Sequence, residues 1–169
     1  MYQAQLQTRT TATLQAIPDG IPGIKATLSA MKKLAVEGKR SLKVRMLALS
    51  IVAGLRSKDF VGEIKAVHAW MRNNIRYVKD ILDVETLHTA DKMLEIRQGD
   101  CDDHSILIAS LLGSIGYPTR FVAIAMRPGQ FSHVYTEVQL NKKWIAVETT
   151  ENVLPGWQPR YAEKLVIEN

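Results

Sequence analysis

The chain has 169 residues, 46% of them apolar and 23% charged, a formal net charge of +5 and a single cysteine. That length supports one domain with its own core, and one cysteine excludes both an intramolecular disulfide and a metal site built from several thiolates. No stretch approaches the roughly 18 apolar residues of a membrane span.

The charge is uneven: residues 1–80 carry 14 Lys/Arg against 5 Asp/Glu, and residues 81–169 carry 8 against 12. A basic half of this kind suits either a polyanion partner or a solvated helical surface facing its own acidic half, and the second reading is preferred. Aromatic residues are not interleaved with the Lys/Arg, so there is no stacking platform for single-stranded nucleic acid and no nucleic-acid partner is expected.

Residues 1–15 are polar and lack the basic and apolar regions of a secretory signal, which predicts a protein that is cytoplasmic when made. With the Pro- and Gly-rich stretch 17–23 they form an expected arm and linker, 1–23, ahead of a single domain over 24–169. Ile24, Leu28, Met31 and Ala35 recur at helical spacing up to Gly38. Ser41 is placed to cap a second helix through Leu55, and Asp59 a third that carries Ile64, Val67, His68 and Met71 to Asn73-Asn74. His68, among apolar residues, reads as a core or groove histidine. Residues 75–78 are short and extended, 79–90 are mixed, and Thr89 opens a short helix leading to Arg97-Gln98-Gly99.

The next stretch, Gly99-Asp100-Cys101-Asp102-Asp103-His104, runs into the apolar segment 105–115. Cys101 therefore opens a helix that Gly116-Tyr117-Pro118 ends. The N–H groups and dipole of a helix start favour thiolate, whereas three neighbouring carboxylates oppose it, so a nucleophilic Cys101 needs a cation from elsewhere. The competing reading is a small buried apolar residue. A metal site from Asp100, Asp102, Asp103 and His104 is set aside because adjacent residues on one helical turn point in different directions; no metal and no cofactor are expected. After the helix the period becomes two: strands are expected over 119–126, 133–140 and 143–149, with turns at 127–130 and 141–142 and a last short strand at 164–167.

Thiol catalysis needs a base near the sulfur and a group that orients the base. His133 heads one strand and Glu148 ends the next, with a turn midway, so a hairpin should bring them together. These blocks, Gly99-Asp100-Cys101-Asp102-Asp103, Gly116-Tyr117-Pro118-Thr119-Arg120, His133-Val134-Tyr135-Thr136-Glu137-Val138 and Trp144-Ile145-Ala146-Val147-Glu148-Thr149, resemble the transglutaminase-like superfamily over about residues 60–150.

The resemblance implies an α+β, papain-like fold: a helical N-terminal half and a central Cys-bearing helix packed on an antiparallel sheet. It implies Cys101 as nucleophile, His133 as general base and acid, and Glu148 where the family usually has Asp. The backbone N–H of Cys101 would serve an oxyanion hole, with Gln98 or Tyr77 as second donor. The implied activity is attack on amide bonds through an acyl-enzyme, as a cysteine protease or amidase rather than a protein cross-linker. Its substrate would be protein or peptide, such as cell-wall peptide. Short members of this shape also resemble proteins of tailed-phage and prophage virions, which implies assembly with other virion proteins. The alternative is a catalytically silent scaffold of the same fold, a structural or peptide-binding part of such a particle.

Overall fold

The computed structural model describes residues 17–79 and 86–169; the expected arm up to residue 16 and most of the mixed stretch after residue 79 lie outside the described residues. Helix α1 spans Ile21–Gly38, three residues earlier than the apolar spacing suggests, because Pro22 falls in the first turn, where its missing N–H has no partner to lose. Helix α2, Leu42–Val52, is capped by Ser41 Oγ, which accepts the Val44 N–H, and α3, Phe60–Asn74, by the Asp59 carboxylate on the Gly62 N–H. Both caps satisfy donors that a helix start leaves open. A two-residue strand β1, Arg76–Tyr77, follows, then α4, Ala90–Ile96, capped by Thr89 and ended by Arg97 in the left-handed region at φ 56.

Strand β2, Gln98–Gly99, pairs in parallel with β1 and leads directly into α5, Cys101–Ser114. The polar composition of 97–100 gives no hint of this ladder, which depends on a partner more than twenty residues away. The sheet then forms from β3, Thr119–Arg127, β4, Gln130–Leu140, β5, Lys143–Ala146, and β6, Glu163–Glu168. Its order is β5-β4-β3-β6, antiparallel throughout, so the chain-terminal strand returns to cover the far edge of β3.

Helix α5 is buried almost all round, as expected of a central helix. One flank, with Leu107 and Leu111, packs on Val67 and Met71 of α3 and Met93 of α4. The other, with Ile106 and Ala109, meets Leu28 and Met31 of α1 and Phe121 and Val134 of the sheet. Each of these large side chains contributes about 1.5–3 kcal/mol by leaving water. The start of α5 is thereby held between helices and sheet.

The crossing of α1 over α5 is tight at Gly38, where an added Cβ would lie 2.2 Å from Ser110 Oγ and 2.9 Å from Ala90 Cβ. Gly38→Ala should therefore destabilise the protein by about 1–3 kcal/mol despite better helix propensity. Gly113→Ala, whose Cβ would meet only the Lys39 side chain at 3.3 Å, should change stability by less than about 0.5 kcal/mol. Urea unfolding of the two variants checks the contrast.

Candidate active site

The β1–β2 ladder and the Asp100 cap set the position of Cys101. Val78 N–H donates to Gly99 O at 2.8 Å, and Asp100 Oδ1 accepts the N–H groups of Asp102 and Asp103 at 3.1 and 3.2 Å. Gly99 is required sterically: a Cβ there would lie 2.6 Å from the Asp103 side chain. Asp103 itself is fully buried and accepts both the backbone N–H and ring Nδ1 of His88, each at 2.8 Å, which ties the segment before α4 to the start of α5.

Cys101 is partly buried, and its thiol donates to Asp102 Oδ1 at 3.4 Å. Burial, then the charges of Asp102 and Asp100, push the thiol well above its ordinary range. The acidic first turn has the effect its sequence suggests, opposing thiolate. Asp100, Cys101 and Asp102 place their donor atoms within 4.8 Å of one another. The sequence argument that neighbouring side chains diverge holds for Asp103, on His88, and for His104, whose Nδ1 lies 3.2 Å from Thr149 Oγ1, but not for these three.

His133 projects from β4 with a fifth of its side chain exposed, and its Nε2 lies 2.6 Å from Glu148 Oε2. A carboxylate only accepts, so Nε2 carries the proton and Nδ1 of the neutral ring is left as the basic nitrogen. The register of β4 with β5 sets Ala146 opposite Glu137. Continued strictly it would set Glu148 opposite Tyr135, short of His133; Val147 N–H still donates to Thr136 O at 2.8 Å, so the register runs to Val147 and the long Glu side chain covers the diagonal to His133. That gives a physical reason for Glu at this position.

Glu148 is 1% exposed, and burial would raise its pKa, but the hydrogen bond and charge of His133 and two bonds from Thr150 hold it below the ordinary 4.5. Thr150 N–H and Oγ donate to Oε1 at 2.6 and 2.8 Å. The backbone is held too: His68 Nε2, from α3, lies 2.5 Å from the Glu148 carbonyl. Sequence spacing finds His68 as a groove histidine but not its partner, and it misses Thr150 altogether.

Cys101 and His133 line one cleft of about 420 Å³, with Tyr77 and Lys79 at its side and Asp100 and Asp102 beside the thiol. Gln98 instead accepts from Arg76 through its side-chain oxygen at 2.7 Å. Tyr77 stacks edge-on against His104, and burial, then its proximity to the Cys101 thiol and the Asp100 carboxylate, raises its pKa, so it stays a hydroxyl donor over the ordinary pH range.

His68 and His104 are both held below the ordinary 6.5 by burial. Below that pH the unfolded chain takes up protons that the folded one does not, so stability falls as pH drops through 6.5. Glu148, depressed, adds stability above 4.5 that is lost only as pH falls through its lower folded value. The urea midpoint should thus fall from about pH 7.5 to about 5.5, and less steeply in His68→Gln, whose amide can still donate to the Glu148 carbonyl.

The sequence profile of the transglutaminase-like superfamily matches residues 45–149. Among solved structures, the chain is similar to a candidate cysteine protease from Cytophaga hutchinsonii, at TM-score 0.54 and 22% identity, over 75% of this chain and 46% of that one. It is also similar to a candidate protease from Parabacteroides distasonis, at 0.60 and 14%, over 73% and 26%. Calcium-bound LapG of Legionella pneumophila gives 0.52 and 17%, over 75% of each chain. The chain spans less than half the length of the first two, and at these identities the likeness is one of fold. No curated protein sequence matches significantly. The profile covers the helix that opens on Cys101 and the strands that carry His133 to Glu148, more than half of the sequence, and the chain belongs to the transglutaminase-like superfamily.

Proposed function

We propose that the protein is a transglutaminase-like thiol hydrolase that cleaves amide bonds in a protein or peptide through an acyl-enzyme, with Cys101 as nucleophile, His133 as base and acid, and Glu148 orienting His133. The observation that carries this reading is the contact of His133 Nε2 with the buried Glu148 carboxylate at 2.6 Å, with His133 and Cys101 on the walls of one cleft. Nδ1 takes the thiol proton as sulfur attacks the carbonyl carbon, and the carbonyl oxygen becomes an oxyanion served by the Cys101 N–H. The imidazolium then protonates the leaving amine, the C–N bond breaks, and a thioester remains. Water, deprotonated by His133, releases the acid and restores the thiol. Hydrolysis is preferred to amine transfer, and association with a phage particle is a further expectation; both rest on the sequence resemblance alone.

A second reading, a catalytically silent scaffold, draws on the raised Cys101 thiol beside Asp100 and Asp102. A divalent cation held by those two carboxylates would offset the charge that opposes thiolate, and they bring carboxylate oxygens, the donors a hard cation takes, within 4.8 Å of each other and of the sulfur. One series of measurements separates the readings. For the hydrolase, alkylation of Cys101 by iodoacetamide near neutral pH slows tenfold or more in His133→Ala. Glu148→Gln, which favours the wrong tautomer, moves the pH midpoint of alkylation upward, and Glu148→Asp, one methylene short of the diagonal, falls between it and the parent. Equal rates in all four proteins would establish the scaffold.

Calcium gives an independent test. If the carboxylates hold the ion, added calcium accelerates alkylation and a chelator slows it; indifference to both leaves Asp100 as a helix cap alone.

A further inference from the structure

We propose that α1 makes the cleft selective for an acyl donor with a large apolar side chain next to the reactive carbonyl, in a peptide; the proposal rests on the thiol-hydrolase reading. Helix α1, Ile21–Gly38, lies wholly before residues 45–149, the span that defines the superfamily match. It nevertheless builds one wall of the cleft that holds Cys101 and His133, through Ile24, Thr27, Leu28 and Met31. Across from it the sheet contributes Ala123, Phe131 and Val134. Leu28, Met31, Ala123 and Val134 belong to a single apolar cluster, and Ile24, Phe131 and Cys101 pack against it as partly buried members. The apolar surface is thus continuous from α1 to the sulfur.

The wall is fixed at both ends. At its start, Gly23 lies so close to the Pro18 carbonyl that a Cβ would be 1.9 Å from that oxygen; at its end, Gly38 is wedged against Ser110 and Ala90. A subsite formed without rearrangement binds its occupant at lower entropic cost. A volume of about 420 Å³ is enough for a side chain together with neighbouring backbone.

The charge pattern narrows the occupant. Apart from His133, neutral in the resting site, the α1 and sheet wall carries no titratable side chain; the carboxylates in the cleft, Asp100 and Asp102, flank the thiol, while the lysine that lines it, Lys79, is exposed at its side. An acidic side chain would lose hydration against Ile24 and Phe131 and approach two like charges. A peptide rather than a plain fatty acyl chain is favoured because Thr27, Tyr77 and Lys79 line the same space and offer hydrogen-bond partners to a peptide backbone.

The test uses short peptidyl vinyl sulfones in which the residue next to the electrophile is Leu, Phe, Gly, Lys or Glu, together with an octanoyl vinyl sulfone. Adduct formation at Cys101 is followed by intact-mass spectrometry, and each rate is divided by the iodoacetamide rate of the same protein. This ratio is readable whether or not the thiol is activated, whereas the His133 dependence of the iodoacetamide rate alone tests the hydrolase reading. Leu and Phe probes should exceed Gly, Lys and Glu probes by about tenfold or more. Thr27→Trp, which fills the subsite, and Ile24→Asp, which charges its partly exposed wall, should each collapse that preference. Ile24→Ala, a milder change, should lower the Leu ratio and leave the protein folded. A flat profile in the parent, a preference for Lys or Glu, an octanoyl probe as fast as the Leu peptide, or a Leu preference unchanged in the α1 variants would overturn the proposal.

Discussion

A carboxylate buried to 1% exposure is costly to hold in a protein interior unless its oxygens are paired, and Glu148 is such a group. Its two oxygens are met by His133 from β4 and by the backbone and hydroxyl of Thr150, while its carbonyl is met by His68 from α3. Three separate parts of the chain are thus fastened to one residue beyond the end of β5. Removing any one partner leaves a buried polar group unsatisfied, and that asymmetry, more than the strength of any single bond, fixes the geometry. The same bonds set the tautomer of His133, so the requirement that stabilises the strand end also orients the proposed base.

The start of α5 involves an opposing pair of effects. A helix N-terminus attracts negative charge, and Asp100 meets that need by capping two N–H groups. With the dipole so satisfied, Cys101 gains less from it, and the thiol donates its proton in a hydrogen bond to Asp102, one residue on, which favours thiol over thiolate. Position at a helix start is therefore not sufficient for a reactive thiol here: the balance depends on what stands opposite, either His133 or a cation at the carboxylates.

How legible this was in the sequence varied with the range of the interaction. The caps at Ser41 and Asp59 are local, and each is found where residue type and the following apolar spacing place it, whereas the capping roles of Thr89 and Asp100 emerge only from the structure. The β3-β4-β5 meander is visible from period-two alternation and short turns, and the fold class follows from the ordered blocks. The parallel β1–β2 ladder and the return of β6 to β3 were not readable as pairings, because register between distant short strands leaves no local pattern. The approach of His133 to Glu148 could be anticipated from the hairpin, but the diagonal register and the roles of Thr150 and His68 are set by where the chain leaves the ladder. The helix start at Ile21 was hidden because two prolines and two glycines in seven residues read as a loop, although Pro22 suits a first turn.

Helix α1 shows how an element outside the superfamily span can become part of a site without contributing to its chemistry. The core needs something to cover the flank of α5 that carries Ile106 and Ala109 and the face of the sheet that carries Phe121 and Val134. Leu28 and Met31, buried to 4% and 0%, do that. Ile24, one turn before Leu28, packs against the same cluster as a partly buried member and lines the cleft with them. The wall over the thiol is in this sense a by-product of core packing, and its apolar character follows from the same periodicity that makes α1 amphipathic. A change at Ile24 or Thr27 that preserves Leu28 and Met31 can alter what enters the cleft while leaving the fold's support intact, because Leu28 and Met31 serve both core and wall whereas the partly buried Ile24 and Thr27 serve chiefly the wall.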